Sequence, residues 1–140
     1  MAGEIQILLV HPVDINERWP SIEPLLKTVA QHNDQIDMES TKLFLQSGHA
    51  QCWIAQAGEL IIGVWITQLL TLLKGNNVRC LMLAGNDAET WLPQGIEALK
   101  KWGRLFKCQK IEFLGRPGWE RVLKKHDFHK RNMVAMESFI

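Results

Sequence analysis

Val78-Arg79-Cys80-Leu81-Met82-Leu83-Ala84-Gly85, running on into Asn86-Asp87-Ala88-Glu89-Thr90, is the stretch on which the reading of the whole chain turns. A dense apolar run closed by a glycine suits a strand covered on both faces. Beyond the acidic loop, Ile96, Leu99, Trp102 and Phe106 recur at helical spacing, so 78–106 reads as strand, loop and amphipathic helix. Such a junction offers free backbone N–H groups and the positive end of a helix dipole, which suits an anion.

Working outward, 4–10 alternates as a first strand, stopped by Pro12. Ile22, Leu25, Leu26 and Val29 then mark a helix that Ser21 can cap, with Pro24 in its first turn and Trp19-Pro20 leading into it. A second short helix is expected over 39–46, stopped at Gly48. Segments 50–57 and 60–70 read as strands joined by a tight turn at Gly58-Glu59. Lys74-Gly75-Asn76-Asn77 is expected to turn the chain into the strand at Val78, antiparallel to its predecessor. The long helix ends near Lys107, and Pro93 allows it to start either before Ala88 with a kink or near Leu92. A strand over 110–114, a helix from Pro117 to about His126, a left-handed stop at Asp127 and a last strand over 130–139 follow. The order β-α-α-β-β-β-α-β-α-β predicts one α+β domain over 1–140, a three-layer α/β/α with a mixed, mostly antiparallel sheet and helices on both faces.

The chain has 140 residues, 46% of them hydrophobic, enough for one core and too few for two. Its formal charge of +1 hides a split: residues 1–99 carry 5 Lys/Arg against 11 Asp/Glu, and residues 100–140 carry 11 against 4. Lys100, Lys101, Arg104 and Lys107 share the polar side of one helix, so this charge reads as a solvated face rather than a nucleic-acid surface. Cys52, Cys80 and Cys108 are odd in number and sit in apolar surroundings, as buried free thiols of a reducing compartment do. With no basic leader at Met1-Ala2-Gly3-Glu4 and no run of 18 apolar residues, a cytoplasmic protein with no membrane partner is expected. His126 and His129 lack a companion carboxylate or Cys, so no metal is expected.

Several segments resemble the GNAT family, the acyl-CoA N-acyltransferase fold. They are Trp19-Pro20 with Pro24-Leu25-Leu26, Gln51-Cys52-Trp53-Ile54-Ala55 with Ile61-Ile62-Gly63-Val64, and Trp91-Leu92-Pro93. Residues 103–108, and Gly115-Arg116-Pro117-Gly118-Trp119 leading to Leu123-Lys124 and Phe128, complete the likeness, which is closest to small GNAT-like proteins of phages and prophages. The resemblance implies acyl-CoA where the fourth and fifth strands splay, with pantetheine along the fourth strand and the pyrophosphate at the next helix. That reading makes Leu83, Ala84, Gly85, Asn86, Gly95 and Arg116 the cofactor-binding residues, with acetyl-CoA as the cofactor and an unknown amine as acceptor.

The family's phosphate loop carries a basic or Gln residue and spaced glycines, which let the backbone approach the phosphate. Between Gly85 and Gly95 this chain has Asp87, Glu89 and Trp91, with no Arg, Lys or Gly. The loop is degenerate, two carboxylates oppose a pyrophosphate, and Trp91 is expected to fill the space a glycine would leave. The same acids can instead complement the helix dipole. Arg116, Lys124 or Arg104 could supply the missing positive charge. The family's usual Tyr acid falls at Leu123, in a chain with no Tyr; Glu112 and His126, with Glu59, His49 and His129 behind them, are left as bases. Two functions stay open: an acetyl-CoA-dependent N-acyltransferase, or a non-catalytic GNAT-fold protein acting in assembly, in a host cytoplasm or a virion, with phage proteins as partners and a Trp-rich surface as the contact.

Overall fold

The computed structural model describes residues 4–31 and 36–140. Strand β1 (Ile5–Val10) is followed by a 3-10 turn (Pro12–Asp14), then helices α1 (Ile15–Ala30) and α2 (Met38–Gln46). Strands β2 (Gln51–Ala57), β3 (Leu60–Leu72) and β4 (Gly75–Gly85) form a meander, and α3 (Ala88–Leu105), β5 (Cys108–Phe113) and α4 (Gly118–Lys124) complete the fold. The five strands lie in sequence order, antiparallel throughout except for the parallel pair β4 and β5. A parallel neighbour needs a crossover connection, and α3 supplies it.

The strands' two-residue period sorts their side chains into two cores. On one face, Cys52, Ile54, Val64, Ile66, Met82 and Ala84 pack against the α1 stripe Ile15, Trp19, Ile22 and Leu26. On the other, Trp53, Ala55, Trp65, Val78, Cys80 and Leu83 pack against Trp91, Leu92, Ile96 and Leu99 of α3 and Leu123 of α4. The expected three layers are therefore present. So are the Gly48 stop and the hairpin at Gly58, both glycines having positive φ (79° and 62°). Asp127 adopts the left-handed conformation foreseen for it, at φ 66°.

Four expectations fail. Helix α1 begins at Ile15 rather than after Ser21, so Trp19, Pro20 and Pro24 are all interior. An interior proline costs about 3 kcal/mol. The helix persists because Ile15, Trp19, Ile22 and Leu26 are all buried on one stripe against the sheet, and Trp19 Nε1 donates to Glu23 Oε2 at 3.0 Å. Strand β4 begins at Gly75, paired with Leu72, so the turn is Leu73-Lys74 and the β-region extends through Asn76 and Asn77. Residues 130–139 form no strand: a strand is a pairing property, and among the described residues nothing pairs with this segment. Its Met133, Val134, Met136 and Phe139 stand exposed. Finally there is no Trp-rich surface. Trp19, Trp53, Trp65 and Trp91 are buried, and the last three stack in the α3-side core, Trp53 on Trp65 (6.5 Å) and Trp65 on Trp91 (5.4 Å).

Candidate functional site at the opening between β4 and β5

The β4–β5 ladder runs from Asn76↔Cys108 to Cys80↔Phe113 and closes with Leu114 N–H donating to Cys80 O at 3.2 Å. Strand β4 continues for five residues more, 81–85, paired only with β3. The register explains where the strands part. Ile66 faces Met82 but Thr67 faces Cys80, so Leu81 is an extra residue, a bulge that bends β4 just as β5 leaves it. Beyond it Leu83 and Ala84 bury on opposite faces, Gly85 takes φ 146°, and Asn86 N–H donates to Ile62 O at 2.9 Å. One backbone edge of residues 81–85 thus faces away from the sheet, a place where an extended ligand can pair.

This edge leads to the start of α3. Helix α3 begins at Ala88 and carries Pro93 internally, the first of the two starts the sequence allowed. Asp87 occupies the N-cap in the left-handed region (φ 50°, ψ 50°), and its side chain does not cap the helix. Thr90 instead bonds the Asp87 carbonyl through both N–H (2.9 Å) and Oγ1 (2.7 Å). Glu89 lies 3.6 Å from Lys125 Nζ, so the end of α4 brings a cation to the mouth that the loop itself lacks. Both groups are largely exposed, and the pair is worth about 1 kcal/mol or less. Of the three cations expected to substitute, Lys124 pairs with Glu120 at 3.6 Å and Arg116 is exposed in the β5–α4 loop. Arg104 lies in the last turn of α3, roughly 20 Å or more from its first turn at 1.5 Å per residue, and cannot serve.

Trp91 does not fill the loop. Its ring is fully buried beneath the sheet, with Nε1 donating to Asn86 O at 2.8 Å. The ring lies against the Gly63↔Gly85 pair: a Cβ on Gly63 would stand 2.6 Å from it, and one on Gly85 only 2.4 Å from Ile62 O. Gly95 meets Trp65 in the same way, at 3.0 Å, so its missing side chain accommodates an indole. Trp65, Cys80, Leu83, Ile96, Phe113 and Leu123 are among the residues around an apolar cavity of about 30 Å³ at the root of the opening. Trp65 Nε1 is buried without a hydrogen-bond partner among the described residues.

Glu112, a candidate base, is held at four points. Asn77 Nδ2 (2.8 Å), Arg79 Nε (3.1 Å) and Nη2 (3.0 Å), and Arg131 Nη1 (3.2 Å) all donate to its carboxylate. Burial pushes this carboxyl up, but the hydrogen bonds from Asn77 and Arg79 and the charges of Arg79 and Arg131 outweigh it and hold it below its ordinary range. A carboxylate so bound joins β4, β5 and the C-terminal segment; it is poorly suited to collect a proton. His126, half-buried, donates its backbone N–H to Leu123 O, and His129 and Glu59 are exposed. His49, also exposed, lies at the α2–β2 junction with Nδ1 2.6 Å from Ser47 Oγ. The structure thus gathers residues 83–86 at one mouth and leaves His49 at the α2–β2 junction. Burial raises the Cys52 and Cys80 thiols to about 12, so both stay protonated at neutral pH. Among the described residues no group of three or more His, Cys, Asp or Glu is placed to hold a metal, and no helix is long and apolar enough to cross a membrane.

Sequence reasoning missed Leu81, Lys125, and the partners Asn77, Arg79 and Arg131. A bulge leaves no mark in an apolar run, and the ion pairs join residues about 20 to 35 positions apart. The sole available hint was polar Asn77 and Arg79 flanking a strand otherwise dense in apolar residues.

No protein-family model and no curated protein matches the chain. Solved structures do. The ribosomal-protein-alanine N-acetyltransferase of Brucella melitensis biovar Abortus 2308 superposes with a TM-score of 0.74 at 14% identity, over 98% of this chain and 99% of that one. The aminoglycoside N-acetyltransferase AAC(6')-Iy, in complex with a CoA-based bisubstrate analogue, gives 0.74 at 17% identity over 99% of both chains. A predicted acetyltransferase of Clostridium acetobutylicum, solved with acetyl-CoA, gives 0.66 at 14% over 96% of both. The chain has the GNAT acetyltransferase fold. In this chain the loop entering α3 is acidic, with Asp87 and Glu89, and the segment after α4 contains no strand.

Proposed function

We propose that this protein binds acetyl-CoA at the β4–β5 opening and transfers the acetyl group to an amine. The observation that carries the reading is the unpaired edge of residues 81–85 leading into the N-terminus of α3, which has no side-chain cap. Peptide groups along that edge, at Leu83, Ala84 and Gly85, suit the amides of a pantetheine arm. The first N–H groups of α3, with Asn86 before them, suit phosphate oxygens. Lys125 and Arg116 supply positive charge, and Lys125 also offsets Glu89, which with Asp87 opposes the phosphates. Gly95 acts indirectly, by letting α3 approach Trp65. The cofactor, when bound, supplies an acyl thioester. With Glu112 engaged by two arginines, His126 is the remaining candidate to take the amine's proton.

Calorimetric titration with acetyl-CoA tests this: micromolar binding is expected, and no heat at millimolar ligand overturns it. Lys125→Ala and Arg116→Ala should each weaken binding several-fold, since each removes one screened charge.

The four-point hold on Glu112 and the absence of Tyr favour a second reading, a GNAT-fold protein that binds partners, such as phage proteins in assembly, without catalysis. Acetyl-CoA binding with no turnover of any amine offered would select it.

A further inference from the structure

At the end of the sheet opposite the β4–β5 opening, two neighbouring turns carry apolar side chains into solvent. Strand β2 pairs with β3 only as far as Thr67, so the β3–β4 hairpin runs on past it, from Gln68↔Arg79 to Leu72↔Gly75, and turns at Leu73-Lys74. The turn between α3 and β5 lies beside this tip: Asn76 Nδ2 donates to Phe106 O at 3.0 Å, and Gln109 Nε2 donates to Lys74 O at 2.9 Å. Leu73 is fully exposed, Leu105 is 80% exposed, and Leu72 and Phe106 are nearly half exposed. Around them stand Lys74, Lys101, Arg104 and Lys107, all exposed and, among the described residues, in no ion pair. Segments 60–86 and 98–111, which supply both turns, contain no Asp or Glu. Cations in the last turn of a helix complement its dipole, which accounts for Arg104, but Lys74 belongs to the other turn and no dipole accounts for the leucines.

We propose that these two turns are a docking surface for an anionic lipid bilayer. Leu72, Leu73 and Leu105 enter the boundary between headgroups and acyl chains, and Lys74, Lys101, Arg104 and Lys107 meet the negative headgroups. Charge complementarity selects an anionic partner, since the surface is basic and its two segments are free of acids. Shape and residue type select lipid among anionic partners. Leu73 stands clear of the molecule as a knob, and a fluid bilayer admits a projecting aliphatic side chain without a matching cavity. A nucleic-acid strand is held instead on aromatic platforms, and the one aromatic ring at these turns, Phe106, packs on Trp102 at 4.9 Å. Among the described residues no helix is long and apolar enough to cross a bilayer, and contact at its surface requires none. The docking surface lies at the start of β4 and the acyl-CoA mouth at its far end, so neither depends on the other.

Co-sedimentation of the full chain with vesicles of equal parts phosphatidylcholine and phosphatidylserine tests it. Binding is expected at low salt, weaker at physiological salt, and lower by about a hundredfold or more on vesicles of phosphatidylcholine alone. Lys74→Gln with Arg104→Gln should cut the partition coefficient about thirtyfold at low salt. Leu73→Ser with Leu105→Ser should cut it about tenfold, with an unchanged circular dichroism spectrum because both side chains are already in solvent. No binding to the mixed vesicles at low salt overturns the proposal, as does equal binding to the neutral ones. Binding that the leucine variant keeps in full would be adhesion by charge alone, and the docking surface as described fails. Retention on single-stranded DNA without retention on vesicles would assign the cations to nucleic acid. A dimer in gel filtration that the leucine variant abolishes would assign the turns to a second copy; either result overturns the proposal.

Discussion

The two halves of β4 are built on different principles. From Asn76 to Cys80 the strand is hydrogen-bonded on both edges and tied by a polar clamp, Asn77 and Arg79 on Glu112. From Leu81 to Gly85 it is bonded on one edge only and held by packing, the Trp91 ring against Gly63 and Gly85 with Trp65 stacked beneath. A strand can give up half its ladder when an aromatic stack supports its face, and the freed backbone is then available to a ligand. The two halves also differ in what surrounds them: charge and hydrogen bonds at the closed half, and at the open one an apolar cavity and an indole N–H without a partner among the described residues.

Removing the support of the open half should cost most. Trp91→Ala is expected to destabilise by about 3–5 kcal/mol, read from denaturant unfolding, because it empties a fully enclosed aromatic site. A loss below about 1 kcal/mol would show that the stack does not hold the open half. At the closed half, Glu112→Ala should cost about 1–3 kcal/mol, less than a fully buried pair because Arg79 and Arg131 are partly exposed. Its pH dependence carries a sign. The folded state holds this carboxyl below its ordinary 4.5, so the contribution is fully present above that value and is lost as pH falls from 4.5 through the lower folded value. Glu112→Gln should therefore flatten the stability curve below 4.5 and leave its slope at neutral pH unchanged; an unaltered acid limb would break the clamp argument. The smallest effect concerns the ladder alone. Amides of residues 81–85 that point away from β3 should exchange faster than those of 76–80, and equal protection would mean that the open edge is covered in solution.

The order of elements from β1 to α4, the helices on both faces of the sheet and the strand-to-helix junction at Gly85 could be read from the chain because each rests on short-range periodicity and on glycines at turns. Prolines misled at α1, where local propensity placed the helix start late and burial of Ile15 and Trp19 overrode it. Glu112 was read as a possible base because a lone acid on a strand shows nothing of Asn77, Arg79 and Arg131, and Arg104 as a possible phosphate partner because linear order hides the length of α3.

By itself, then, the sequence determined which segments between β1 and α4 are strands and helices, though not where α1 begins, since spacing of apolar residues along one segment is local information. Only the tertiary structure decided where β4 and β5 part, that Lys125 meets Glu89, that Trp91 lies under the sheet, and that among the described residues no strand pairs with 130–139. Each of these is a pairing between distant segments, settled by which groups find partners once the cores have closed.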